Sequence, residues 1–211
     1  VTLLSVHVRS GSITATVAGG GAAVFDLTRQ TPADGRLEQS PEDVWRALLA
    51  VTRSVLDHSP APTRVAVVSD PTLVVWDQET LGAARPAVLS EDERGAATGR
   101  TSGPGAVLAW LAVNEPHTWA LVHAGRYAVG TVESYVVARM TRGTWHVTDP
   151  GHARRLGLTD PATGAWDAPR CAALDVPLEA LPEILATGEG AGVTDPACFH
   201  GLSLPVTFAS P

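Results

Sequence analysis

The sequence predicts an α/β domain with one mixed sheet that opens as a three-stranded antiparallel meander and is flanked by helices. Three observations carry this. Short apolar or alternating runs come first, separated by tight turns. A strongly capped amphipathic helix follows them. Two buried strands come next, and after them most of the periodic segments are helical.

In chain order, Leu3 to Val8 is apolar and reads as a strand. Ser12 to Val17 alternates and reads as a second. Gly19-Gly20-Gly21 is a turn, and Ala22 to Leu27 a third strand. A Pro-, Asp- and Gly-rich loop leads to Ser40-Pro41-Glu42-Asp43, which joins a capping Ser, Pro at the first helical position and acids in the first turn. Val44, Leu48, Val51, Val55 and Leu56 recur at helical spacing to about His58. Arg64 to Ser69 and Leu73 to Asp77 read as strands, and Gly82 to Pro86 as a turn. Gly103-Pro104-Gly105 precedes a second amphipathic helix, Ala106 to Val113, which Asn114-Glu115-Pro116 stops while capping a short third one. Arg126 to Val129 reads as a strand and Thr131 to Thr141 as a helix. The rest reads mostly as turns, with short helices near Pro169 to Leu174 and Leu178 to Leu185. No internal repeat is visible, and residues 1–211 read as one domain.

The chain has 211 residues, of which 45% are hydrophobic and 18% charged. A domain of that size buries roughly 70% of its unfolded surface, so its core needs no staple. The formal net charge of −7 argues against nucleic acid or an anionic membrane as main partners. No apolar run reaches the ~20 residues of a bilayer span, and no signal peptide is evident. Cys171 and Cys198 fit no metal-ligand spacing and read as free thiols of a cytoplasmic protein. All 15 basic residues are arginine, which removes lysine-based Schiff-base and P-loop chemistry. The chain opens on Val1, as a fragment or a processed form would.

Three stretches then point to a family. Glu38-Gln39-Ser40-Pro41-Glu42-Asp43-Val44-Trp45 enters the first long helix. Arg85-Pro86-Ala87-Val88-Leu89-Ser90-Glu91-Asp92-Glu93-Arg94 is the second. The third runs from Ala109-Trp110-Leu111 through Asn114-Glu115-Pro116, Tyr135, Arg139-Met140-Thr141, Thr148-Asp149, Gly157-Leu158-Thr159-Asp160 and Gly164-Ala165-Trp166-Asp167 to Leu181-Pro182-Glu183 and Gly188-Glu189. In this order they resemble the first, sugar-binding domain of the FGGY carbohydrate kinases, nearest in tone to the xylulose-type enzymes. The resemblance implies an actin-like ATPase (ribonuclease H-like) half-domain. It also implies a second, nucleotide-binding domain that this chain does not contain, with Mg-ATP if such a domain follows and no cofactor for this chain alone. The family's general base would lie beyond Pro211.

Carried over residue by residue, the family's Asp-x-Gly-Thr hairpin corresponds to His7-Val8-Arg9-Ser10-Gly11-Ser12, with His7 in the metal-holding Asp position and Arg9 in the first Gly position. Neutral His is a poor ligand for Mg²⁺. Arg9, Ser10, Gly11 and Ser12 are therefore the nucleotide- or phosphate-binding candidates, Arg9 as a phosphate partner, set against a plain hairpin turn with a solvated Arg. The sugar-contacting Gln-Met-His corresponds to Ser69-Asp70-Pro71, which makes Ser69 and Asp70 candidates for a polyol, or else a simple turn. Asp92 and Arg94 keep an Asp-x-Arg motif that either grips vicinal hydroxyls or forms a structural bridge. A later substrate Asp falls near Ser134, and two loop aspartates fall at Asp149 and His152. No catalytic or metal residue is assigned. His146, Asp149 and His152 at three-residue spacing form an outlying metal alternative, which would belong to an unrelated hydrolase. Cys198 and His200 fit no nucleophile pattern, and the six Trp residues mostly fall at apolar positions and read as core. The expected function is an FGGY-type sugar kinase domain, inactive as this chain. The alternative is a non-catalytic module that binds a sugar, a polyol or a protein partner, with an apolar face left for a second domain or self-association.

Overall fold

The structure, a computed structural model, describes residues 2–96, 104–186 and 188–209. The predicted α/β layout is present. Strands β1 (Leu3–Val8), β2 (Ser12–Val17) and β3 (Ala22–Asp26) form the antiparallel meander, with Val8 opposite Ile13 and Ser12 opposite Asp26. The inward residues of β1 and β2 (Leu4, Val6, Val8, Ile13, Ala15, Val17) alternate with half-exposed ones, as a period of two requires. On the other side β1 runs parallel to β5 (Arg64–Ser69), and β5 runs parallel to β12 (Pro205–Phe208), whose outer neighbour is β11 (Gly190–Val193). The six-stranded order is β11-β12-β5-β1-β2-β3.

Helix α1 (Pro41–Leu56) covers this sheet. The Ser40 hydroxyl accepts from the Asp43 backbone N–H, and Pro41 costs no hydrogen bond at the first position. Its buried stripe of Val44, Trp45, Leu48, Val51 and Val55 is worth about 1.5–3 kcal/mol per large side chain. A second, antiparallel sheet consists of β4 (Glu38–Gln39), β7 (Ala87–Val88), β6 (Leu73–Asp77) and β8 (Tyr127–Thr131). Around it lie α2 (Pro104–Asn114), α3 (Pro116–His123) and α4 (Val132–Met140). Further along, β9 (Val147–Thr148) pairs with β10 (Glu183–Ile184), and α5 (Pro150–Leu156) and α6 (Ala168–Ala173) complete the domain.

Besides the single expected sheet, in place of which the described strands form three, three expectations need correction. Helix α2 is not amphipathic: Gly105 to Ala109 are buried in succession, and a Cβ at Gly105 would overlap the Leu156 carbonyl where α5 crosses. Gly103 of its predicted start lies outside the described residues. The helix expected over Leu178 to Leu185 is a single 3-10 turn, Leu178–Ala180, followed by β10. Pro182 has no N–H to continue a helix. The stretch read as turns around residue 150 holds α5, capped by Asp149, started by Pro150 and ended by Gly157 at φ 72°. Both cysteines are free, and among the described residues no helix is long and apolar enough to cross a membrane.

The parallel strands β12, β5 and β1 end together, with Val8 level with Ser69 and Phe208 level with Val67. In open α/β sheets, ligands bind in the crevice outside such carboxyl ends. The β1–β2 turn, the β5–β6 turn and the start of α5 all sit at this edge.

Candidate functional site

The β1–β2 turn is pinned to the β5–β6 turn. The Arg9 guanidinium donates to Asp70 Oδ1 at 3.1 Å and the Ser10 backbone N–H to Asp70 Oδ2 at 3.0 Å. The Asp70 N–H donates to the Val8 carbonyl at 3.0 Å. Both oxygens of the one carboxylate in the β5–β6 turn therefore have donors supplied by the hairpin. The Ser10 hydroxyl donates to Glu91 Oε1 at 3.1 Å, and Gln39 Nε2 to the Ser10 carbonyl at 3.1 Å. Burial pushes the Glu91 carboxyl up, but hydrogen bonds from Ser90 and Ser10, with Arg29 nearby, hold it below its ordinary range. Space beside Gly11 is open. Ser12 starts β2 and pairs with Asp26.

Of the predicted site residues, Arg9, Ser10 and Asp70 come together, with Gly11 in the same turn. Ser69 is 1% exposed, its hydroxyl donating to the Asp70 carbonyl at 3.0 Å. Asp92 and Arg94 are instead buried within the fold. Their side chains are 0% and 2% exposed, and Arg94 Nε and Nη2 bind the two Asp92 oxygens at 2.8 and 2.9 Å. Arg94 also reaches Glu38 at 2.8 Å and stacks on Trp110, while the Leu37 N–H donates to Asp92. Arg85 extends this network to Glu115 and Glu38. Every oxygen of Asp92 thus has a donor within the fold.

Behind the turn lies a second cluster. His152 Nδ1 is 2.6 Å from Asp149 Oδ2 and 2.7 Å from Glu133 Oε2, and Nε2 donates to the Ser69 carbonyl at 3.0 Å. Burial opposes the imidazolium, but the two carboxylates outweigh it and raise His152 to about 9. Burial raises Asp149 too, yet His152 and the first backbone N–H groups of α5 bring it down to about 2. Glu133, wholly inaccessible, is pushed up by burial. Asp149 borders a cavity of about 270 Å³ that Arg154, Glu189, Phe208 and Ala209 also line. His146 stands apart, packed edge-on against the Trp76 ring at 5.0 Å.

Sequence alone does not single out Glu133. Its signal is a lone acid in the largely apolar run Val132-Glu133-Ser134-Tyr135-Val136-Val137. Every residue of that run is buried, so no periodicity marks one face.

Strand order and the crevice at the strand ends define an α/β domain of the actin-like ATPase class. The comparisons agree. A solved glycerol kinase from Plasmodium falciparum with ADP superposes with a TM-score of 0.87 at 18% identity, over 99% of this chain and 48% of that one. The xylulose kinase of Rhodospirillum rubrum does so at 0.86 and 20% identity, over 100% of this chain and 49% of that one. The model of the N-terminal domain of the FGGY family of carbohydrate kinases matches residues 98–209. The curated glycerol kinase of Methylobacterium nodulans is 34% identical over 87% of this chain and 41% of its own length, and that of Rhodospirillum centenum 32% over 87% and 42%. The chain belongs to the FGGY family of carbohydrate kinases. It spans about two fifths of the length of these curated relatives.

Proposed function

We propose that this domain is the acceptor-binding domain of an FGGY-type kinase architecture, with a small polyol such as glycerol or a related sugar as its ligand, and that its own hairpin no longer serves phosphoryl transfer. The observation that carries this is the closure of Asp70 by Arg9 and Ser10. Phosphoryl transfer needs a metal-bound nucleotide and free donors on the phosphates. Mg²⁺ seeks carboxylate oxygens. His7 and Arg9 offer none at the turn, and the oxygens of Asp70 and Glu91 are engaged by donors of the fold, so the residues present do not fit Mg²⁺ there. Mg-ATP belongs to a second domain, where one follows. Arg9, Ser10, Asp70 and Glu91 form a chain of polar contacts at this edge, and hydroxyls of a polyol can exchange with their mutual hydrogen bonds. Asp92 and Arg94 fix the loop that carries Glu91.

Calorimetric titration with glycerol, xylulose and Mg-ATP tests this. The reading expects heat with one of the polyols that Asp70→Asn reduces, and none with Mg-ATP. Silence toward every polyol, or Mg-ATP binding to this chain alone, contradicts it.

A second reading, a non-catalytic interaction module, draws on β3. Val24 is 63% exposed and Phe25 is exposed beside it on the open edge of the large sheet. Such an edge pairs readily with another chain. Sedimentation at rising concentration expects self-association that Phe25→Lys abolishes; a monodisperse monomer sinks that reading.

A further inference from the structure

The cluster behind the turn has more acceptors than protons. Thr148 Oγ1 donates to Glu133 Oε1 at 2.9 Å, and the Gly151 and His152 N–H groups donate to Asp149 Oδ1. One oxygen of each carboxylate is thereby held, and the other, Oε2 or Oδ2, faces His152 Nδ1. That nitrogen carries one proton at most, and its hydrogen bond goes to Asp149. Glu133 Oε2 lies at 2.7 Å from the same nitrogen but accepts no hydrogen bond, in a side chain with no solvent exposure. An inward-facing buried acceptor without a donor is costly. On the far side of the ring, Nε2 donates to the Ser69 carbonyl, the outer contact that typically fixes a metal-binding imidazole. Ligand atoms of all three residues lie within 4.8 Å of one another.

We propose that Glu133, Asp149 and His152 hold one divalent first-row transition ion, with Zn²⁺ as the best chemical fit. One imidazole nitrogen and two carboxylate oxygens form a mixed donor set that Zn²⁺ accepts and that hard Mg²⁺ or Ca²⁺ does not favour. The ion replaces the shared proton at Nδ1 and gives Glu133 Oε2 its partner. Three protein ligands leave a fourth position. Asp149 is the part-exposed member, at 25%, and the cavity it borders provides the entry path and room for a water or a ligand oxygen. The inference does not depend on polyol binding, and its test reads metal rather than acceptor.

Protein stripped by chelator dialysis is re-equilibrated with Zn²⁺ and with Co²⁺, then measured by elemental analysis and visible absorption. The expected result is one ion per chain and a Co²⁺ spectrum of nitrogen and oxygen ligation. Glu133→Gln and Asp149→Asn each weaken binding at least about tenfold, the scale seen when even a ligand's outer contacts are disturbed. Asn still caps a helix, so the second variant keeps α5. Cys198→Ser, a thiol outside the cluster, leaves affinity unchanged. Substoichiometric metal, affinity unaltered in both variants, or a thiolate spectrum overturns the proposal.

Discussion

Two buried groups of charge in this fold are built on different principles. Around Arg94, each Asp92 oxygen meets a guanidinium or a backbone N–H, and Trp110 closes over the cation. Around His152, two carboxylates converge on one nitrogen and an oxygen of Glu133 is left over. A network whose donors and acceptors balance is architecture, because removing any member leaves a bare buried charge. A network with a surplus of one sign is poised for something that is not protein.

The sharpest way to break this contrast is Arg94→Ala. It strands the fully buried Asp92 carboxylate, and the domain should lose about 3–5 kcal/mol by urea denaturation. A loss near zero would mean that the network is not architectural. The next effect comes from a buried base with no carboxylate partner. Burial lowers His146 to about 4, a hydrogen bond to the Val129 backbone opposing it only in part. A neutral His favoured by folding contributes stability that is complete above its unfolded value near 6.5 and is lost as pH falls toward 4. The difference between the wild type and His146→Gln should shrink by up to about 3 kcal/mol across that window; a pH-independent difference would place His146 in solvent. In metal-free protein, Glu133→Gln should change stability by less than about 1 kcal/mol, because the amide keeps the volume and removes a charge that lacks a full partner. A loss as large as that of Arg94→Ala would erase the distinction. Smallest is Arg9→Ala, whose half-exposed bridge to Asp70 is worth about 0.2–1 kcal/mol by thermal melting.

Much of the fold was legible because it rests on local signals. The alternation in Ser12 to Val17 and the Ser40-Pro41 cap translate directly into β2 and α1. The helix expected near Leu178 failed where Pro182 turns apolar residues into a strand entry. At the site, the hairpin candidates and Asp70 come from separate stretches of the sequence, and the contact between them across the parallel strands is visible in the structure alone. Of His146, Asp149 and His152, the structure joins the last two and leaves His146 against Trp76. The third place belongs to Glu133, which reaches the cluster from α4 and is invisible to any local spacing rule. Likewise, Asp92 and Arg94 look identical in sequence whether they grip a ligand or each other, and only burial distinguishes the two arrangements.

A coupled ADP-release assay reads the consequence of the closed hairpin. It is run over glycerol, xylulose and related pentoses, with the protein as its gene encodes it. No turnover above background is expected, because Arg9 and Ser10 occupy the Asp70 carboxylate. ADP release that depends on a polyol and is lost in Asp70→Asn would contradict it and make this an active kinase with a rebuilt metal and phosphate site.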